Sequence, residues 1–279
     1  MPAFDVNGIT ASYAEAGSGE PVVLLHGSAG SDAHWRGLFD RLAERFQLFA
    51  PNLHGYGETD PWPGERALSI ADEAALAEAL IDRIGTPVHL VGHSYGGAVA
   101  LRVAHDRPER ISRLTLVEPA AFYLLRQGWP SERALFREIA GVATAVSEAV
   151  VSGNYRGGMR HFVDYWNGAG AFDGLKPEVQ SWLSGQLVKI ASEFHAVLSE
   201  TAVIEDLSAI DTPTSVLRGS RSPGPVRAIA EILSDALPNI TLATVSDAGH
   251  MLPLTHPESV SAAVIGEACA LTTIEKAAA

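Results

Sequence analysis

One octapeptide constrains this chain more than any other: Leu90-Val91-Gly92-His93-Ser94-Tyr95-Gly96-Gly97. An apolar run over residues 88–91 ends in G-x-S-x-G and feeds an Ala-rich helical pattern of Ala98, Val99, Leu101, Val103 and Ala104. A strand that turns sharply into a helix strains its central residue and brings neighbouring chain close on both sides. Gly92 and Gly96 remove the Cβ atoms that would clash there. The Ser94 hydroxyl is then presented at the carboxyl edge of a sheet. G-x-S-x-G alone is common, because Gly and Ser abound in loops. A strand before it and a helix after it make the expectation a nucleophile elbow rather than an ordinary turn.

Around the elbow, strand and helix patterns alternate. Residues 9–15 read as a strand, and residues 21–25 form an apolar run suited to a strand buried on both faces. A helix is expected over residues 34–46 and a short strand over 48–50. Ile70, Ala74, Ala77, Ile81 and Ile84 keep helical spacing up to Gly85, a C-cap residue. After the elbow helix, residues 111–117 form another strand. This repetition predicts an α/β fold with a doubly wound, mostly parallel sheet and its site at the carboxyl ends of the strands. The pattern breaks over residues 119–210, where no strand is expected. Leu135, Ile139, Val142 and Val146 form one helical stripe; Val179, Leu183, Leu187, Ile190, Phe194 and Val197 form a second, with Pro177 suited to its first turn. Strands return over residues 214–217 and 240–245 around a helix through Val226, Ile229, Leu233 and Leu237, and a last helix is expected over 258–271. The expected division is a core of residues 1–118 and 211–279, with 119–210 as an all-helical cap over the site.

Composition narrows the partners. The chain has 279 residues, 47% hydrophobic and 19% charged, enough to bury a sizeable core and too few charges for disorder. A formal charge of −13 argues against nucleic acid and anionic membrane surfaces. No stretch nears the roughly 18 apolar residues of a membrane span, and no signal-peptide pattern is visible at the start, so the expected location is cytoplasmic. A homo-oligomer stays open. The one cysteine, Cys269, reads as a small core residue. Residues 276–279 resemble a vector remnant rather than part of the fold.

A serine hydroxyl is a poor nucleophile near neutral pH and needs a base, which in turn needs an orienting acid. The base belongs after the last strand, where Ala248-Gly249-His250-Met251 lies. Among ten histidines, position favours His250 over His93, His195 and His256. The strand over residues 22–25 runs into His26-Gly27-Ser28-Ala29-Gly30, a small-residue loop beside the elbow. The backbone N–H groups of Ser28 and Tyr95 are the expected oxyanion donors.

The chain at this point resembles the α/β-hydrolase fold family. His26-Gly27-Ser28-Ala29-Gly30, Gly92-His93-Ser94-Tyr95-Gly96-Gly97, Ala248-Gly249-His250 and His256-Pro257-Glu258 carry the resemblance. Asn52-Leu53-His54-Gly55-Tyr56-Gly57 is similar to the family's D-x-R-G-x-G loop, with Asn52 and His54 replacing Asp and Arg. The likeness covers residues 5–118 and 211–271. It implies a fold that hosts esterases, lipases, amidases, C–C hydrolases, epoxide hydrolases, dehalogenases and lyases. Ser rather than Asp at position 94 disfavours epoxide hydrolase and dehalogenase chemistry, which in this family uses a carboxylate nucleophile. The family's usual acid, in G-x-x-D after the strand at 214–217, is missing: the chain reads Gly219-Ser220-Arg221-Ser222. Some relatives carry the acid one strand earlier, and Glu118 stands there, keeping the order Ser, acid, His. Asp206 and Asp211 fall at the wrong end of the sheet, and Asp247 is close in sequence to His250. Ser222 is expected to contribute little.

For the substrate, Phe122, Trp129, Trp166 and Met251 are the expected pocket residues, with Tyr123 and Tyr165 as further aromatics of the helical segment. Arg126, Arg156, Arg160 and Arg221 suit either an acidic substrate or plain solvation. The histidines lack metal-ligand spacing, and neither metal nor cofactor is expected. The reading is a hydrolase of a small carboxylic ester through an acyl-enzyme. Amide or C–C bond hydrolysis on the same residues is the alternative, and a ligand receptor on the same fold the alternative of another class.

Overall fold

The computed structural model describes residues 1–64, 66–266 and, as backbone, 272–274. Cys269, the end of the helix expected over 258–271 and residues 276–279 lie outside them. The sheet elements in chain order are β1 (Ala3–Val6), β2 (Ile9–Ala16), β3 (Glu20–Leu25), β4 (Phe46–Pro51), β5 (Val88–His93), β6 (Ile111–Val117), β7 (Thr214–Gly219), β8 (Ile240–Val245) and β9 (Thr272–Ile274). Among the described residues these nine form one sheet in the order β1-β2-β4-β3-β5-β6-β7-β8-β9. From β4 to β8 all neighbours are parallel. β1, β2 and β9 add antiparallel edges.

Between the strands run α1 (Arg36–Leu42), α2 (Ile70–Ile84), α3 (Tyr95–Asp106), α8 (Gly224–Ala236), α9 (Leu252–Thr255) and α10 (Pro257–Ile265). Alternation along each strand divides the core. Val22 and Leu24 of β3, with Val91 and Val117, meet Trp35, Leu38 and Val260 under α1 and α10. Val23 and Leu25, with Leu90 and Leu116, meet Leu76, Leu80, Val99 and Ile229 under α2, α3 and α8. A strand whose alternate residues both face helices must be apolar throughout, which is why β3 reads as a continuous hydrophobic run.

Between β6 and β7 the chain leaves the sheet and forms α4 (Pro130–Val151), α5 (Tyr155–Asn167), α6 (Pro177–Ser184) and α7 (Leu187–Ser199), with no strand among the described residues of 119–210. The stripe of Ile139, Val142 and Val146 is buried on α4. The second stripe is two helices rather than one, because Gly185 and Gln186 fall between α6 and α7. The helix expected over 34–46 is also shorter. It ends at Leu42, the chain turns as Arg45 N–H donates to Leu42 O at 2.9 Å, and Phe46 starts a strand.

Candidate active site

Ser94 follows β5 with φ 52° and ψ −117°, a left-handed conformation that a residue with a side chain holds only under constraint. Its N–H donates to Val117 O at 3.0 Å and its carbonyl accepts from Ala120 N–H at 2.9 Å. The glycines around it are sterically required. A Cβ on Gly92 would come 2.3 Å from Gly96 O, and one on Gly96 would come 2.3 Å from Leu25 O. The end of β3 is therefore pressed against the start of α3. A Cβ on Gly27 would lie 3.0 Å from that of Ser94.

Three side chains from three loops meet at the carboxyl edge of the sheet. The Ser94 Oγ lies 2.9 Å from His250 Nε2, and His250 Nδ1 lies 3.0 Å from Glu118 Oε2. Because a carboxylate only accepts, Nδ1 carries the proton and Nε2 is left to accept from the Ser94 hydroxyl. Glu118 sits directly after β6 with φ 52° and is fully buried. Its Oε1 accepts from the Gly219 N–H and from the Ser222 hydroxyl, the latter at 2.8 Å. Ser222, expected to contribute little, thus touches the carboxylate: the loop after β7 carries no acid of its own but supplies a donor to the acid of the neighbouring strand. Asp247 does not reach His250. It is exposed and paired with Arg221.

The His250 ring is clamped. Trp166 of α5 stacks on it with centroids 4.1 Å apart at 24°. His93 Nε2 donates to the His250 carbonyl at 2.9 Å, and His34 stacks on His93 at 4.8 Å. Burial drives His93 well below its usual range and His34 down to about 3, so both are neutral near pH 7. His26 holds the loop after β3: its Nδ1–H donates to Gly27 O at 2.8 Å and its Nε2 accepts from Leu53 N–H at 3.1 Å. Burial lowers His26 to about 4, which keeps that acceptor free of a proton.

Above Ser94 opens a cavity of about 480 Å³, lined by Ser28, Tyr95 and His250 and by apolar side chains of α5, α6 and α7. Of the four residues expected in the substrate pocket, Phe122, Trp166 and Met251 line this cavity. Trp129 does not. It stands just before α4, is 78% exposed, and borders a separate surface groove with Arg133 and Ile232, so its ring meets solvent rather than the cavity over Ser94. Tyr123 borders another crevice, and the Tyr165 hydroxyl donates to Glu138 at 2.8 Å. The four arginines are occupied elsewhere, Arg126 by Leu198 and Glu200 carbonyls, Arg156 by Gln180, Arg160 by Asp173 and Arg221 by Asp247. Phe162, Leu183 and Phe194 line the cavity unforeseen, as does Glu193 of α7. Helical periodicity marks Leu183 and Phe194 as inward-facing but does not say that their inside is a cavity.

The profile of the α/β hydrolase fold family matches residues 20–257, and the chain belongs to that family. It is 36% identical over 116 residues to the soluble epoxide hydrolase of Corynebacterium sp. (strain C12), a match covering 40% of this chain and 39% of that protein's length. It is 25% identical over 255 residues to the pimeloyl-[acyl-carrier protein] methyl ester esterase of Aeromonas hydrophila subsp. hydrophila, covering 90% of this chain and 96% of that one. Among solved structures, an α/β hydrolase from a Medee basin deep-sea metagenome library superposes with a TM-score of 0.81 at 18% identity, over 95% and 96% of the two chains. No described helix is long and apolar enough to cross a membrane.

Proposed function

We propose that the protein is a serine hydrolase of small carboxylic esters with an apolar acyl or alcohol part. The observation that carries this reading is the hydrogen-bonded series Ser94–His250–Glu118, closed at 2.9 and 3.0 Å at the base of an apolar cavity. Ser94 Oγ attacks the ester carbonyl while its proton passes to His250 Nε2. Glu118 holds the ring and stabilises the imidazolium. The N–H groups of Ser28 and Tyr95 take the tetrahedral oxyanion. His250 then protonates the leaving alkoxide as the C–O bond breaks, and water repeats the sequence to release the acid. A cavity of about 480 Å³ falls within the range that encloses a small ligand.

Epoxide opening is disfavoured in spite of the epoxide hydrolase relative, since residue 94 is Ser where the resemblance implies a carboxylate nucleophile. The relative named as a methyl ester esterase supports an ester as the bond. Incubation with p-nitrophenyl butyrate tests the reading. The expected result is sustained release of nitrophenol and labelling of Ser94 by a fluorophosphonate, both lost in Ser94→Ala with kcat down roughly 10⁴- to 10⁶-fold. Release that stops at one equivalent would favour a ligand receptor. Undiminished turnover by Ser94→Ala would remove Ser94 from the mechanism.

A further inference from the structure

The loop that presents the Ser28 N–H is held in an unfavourable shape. Ala29 has φ 55°, a conformation rarely adopted by a residue with a Cβ, so partners must hold it there. The Ala29 N–H donates to the Tyr56 hydroxyl at 2.9 Å. A phenol that accepts still has its own proton to place. Beside it lies the carboxyl of Glu193, which the Ser28 hydroxyl approaches as well. Glu193 is 1% exposed and belongs to α7, outside the sheet.

Lys189, one turn earlier on α7, fixes that carboxyl. Its ammonium lies 3.5 Å from Glu193 Oε1 and 2.5 Å from Oε1 of the buried Glu73 on α2, and it stands over the Tyr56 ring at 5.4 Å. Burial, helped by the neighbouring Glu73 charge, holds the Glu193 carboxyl above the ordinary carboxylate range, and Lys189 with the two hydroxyls draws it only part of the way back. Neither Glu193 oxygen completes a well-aligned hydrogen bond among the described residues, although both are shut off from solvent. A buried carboxyl in that state is costly.

We infer that Glu193 is a positioning residue: it accepts from the Tyr56 and Ser28 hydroxyls and so fixes the 26–30 loop whose N–H receives the oxyanion. The inference rests on the serine hydrolase reading above. It makes the helical segment between β6 and β7 contribute to the aim of an oxyanion donor as well as to the cavity wall.

The test compares Tyr56→Phe, Glu193→Leu, Glu193→Gln and the Tyr56→Phe/Glu193→Leu double variant on p-nitrophenyl butyrate, with butaneboronic acid as a probe that forms a tetrahedral adduct on Ser94. Tyr56→Phe and Glu193→Leu should each lower kcat roughly 10- to 100-fold, less than the 10²- to 10³-fold of losing a donor outright. KM should stay within about threefold, and the boronate inhibition constant should rise in step with the fall in kcat. Glu193→Gln should recover most of the rate, because its amide carbonyl still accepts. The double variant should lose no more than the worse single variant. Additive losses, a change confined to KM, or no recovery by Gln would overturn the inference.

If Glu193→Leu does not fold, Ser28→Ala combined with Tyr56→Phe decides. That pair deletes both hydroxyls and keeps both oxyanion N–H groups. A loss of kcat above tenfold supports the inference, and a smaller one overturns it. Labelling separates the two levels. A wild type neither labelled nor active overturns the hydrolase reading and this inference with it, whereas a labelled, active wild type with additive variants overturns the inference alone.

Discussion

Glu118 is the residue on which the proposed chemistry depends most and which a motif search would overlook. Its carboxylate has three partners, the His250 ring, the Gly219 N–H and the Ser222 hydroxyl, all presenting donors. Glu118→Gln keeps the shape but turns one oxygen into an NH₂ group that meets donors. It also loses the charge that stabilises the imidazolium, so kcat should fall about 10⁴-fold with a small effect on KM. Ser222→Ala removes one of two bonds to Oε1 and should cost about tenfold, an intermediate effect. Asp247→Asn, facing solvent beside Arg221, should leave kcat unchanged within about twofold. Steady-state kinetics of the three variants side by side, with folding checked by circular dichroism, decide the acid. Collapse of Asp247→Asn with survival of Glu118→Gln would reverse the assignment. The candidate residues Ser94, Glu118 and His250 were legible because each follows a strand whose apolar run is visible in the sequence, Ser94 and Glu118 directly and His250 five residues beyond β8. The tryptophan over His250 was legible only as an aromatic in a helical region. Its stacking depends on how α5 lies across the sheet edge, which no local spacing encodes.

The elements lock together where backbone passes backbone, and the glycines report it. Gly96 opens α3 against the end of β3, and an added Cβ would sit 2.3 Å from the Leu25 carbonyl, which no rotamer change relieves. Gly96→Ala must push β3 and its loop away from the elbow. The expected cost is about 1–3 kcal/mol of stability, together with loss of turnover, because the Ser28 N–H moves with the loop. Gly249, adjacent to His250, has nothing within 4 Å of an added Cβ. Gly249→Ala should therefore stay within about 0.5 kcal/mol. Urea unfolding midpoints of the two variants check the contrast, and equal losses would contradict it. Element boundaries were readable where a chemical stop exists, such as Gly85 after α2, in the left-handed conformation at φ 83°. They were not readable at α5, whose first turn carries Gly157 and Gly158 and is capped by the Asn154 side chain accepting from Gly157 N–H at 3.1 Å. Two glycines in a first turn hide a helix from any propensity argument.

The molecule as a whole buries several histidines in neutral form, and this sets how it responds to acid. His26 is lowered to about 4, His34 and His89 to about 3, each chiefly by burial. In the unfolded chain each titrates near 6.5. Below that pH the unfolded state binds protons that the folded state refuses. The stabilisation is thus fully present above about pH 6.5 and is lost as pH falls toward 4 and then 3, at roughly 1.4 kcal/mol per pH unit for each histidine. His89 isolates the effect from the site. It lies at the start of β5, with Ser94 beyond the other end of that strand, and its Nε2 bonds the Thr115 hydroxyl at 2.8 Å. His89→Gln removes the titration at nearly constant size. The stability difference between wild type and His89→Gln should shift against the wild type by about 2 kcal/mol between pH 7 and pH 5, read from urea unfolding at each pH. A difference that stays constant over that range would mean that His89 keeps an ordinary titration in the folded protein, and that the acid sensitivity of the fold resides in its carboxylates instead.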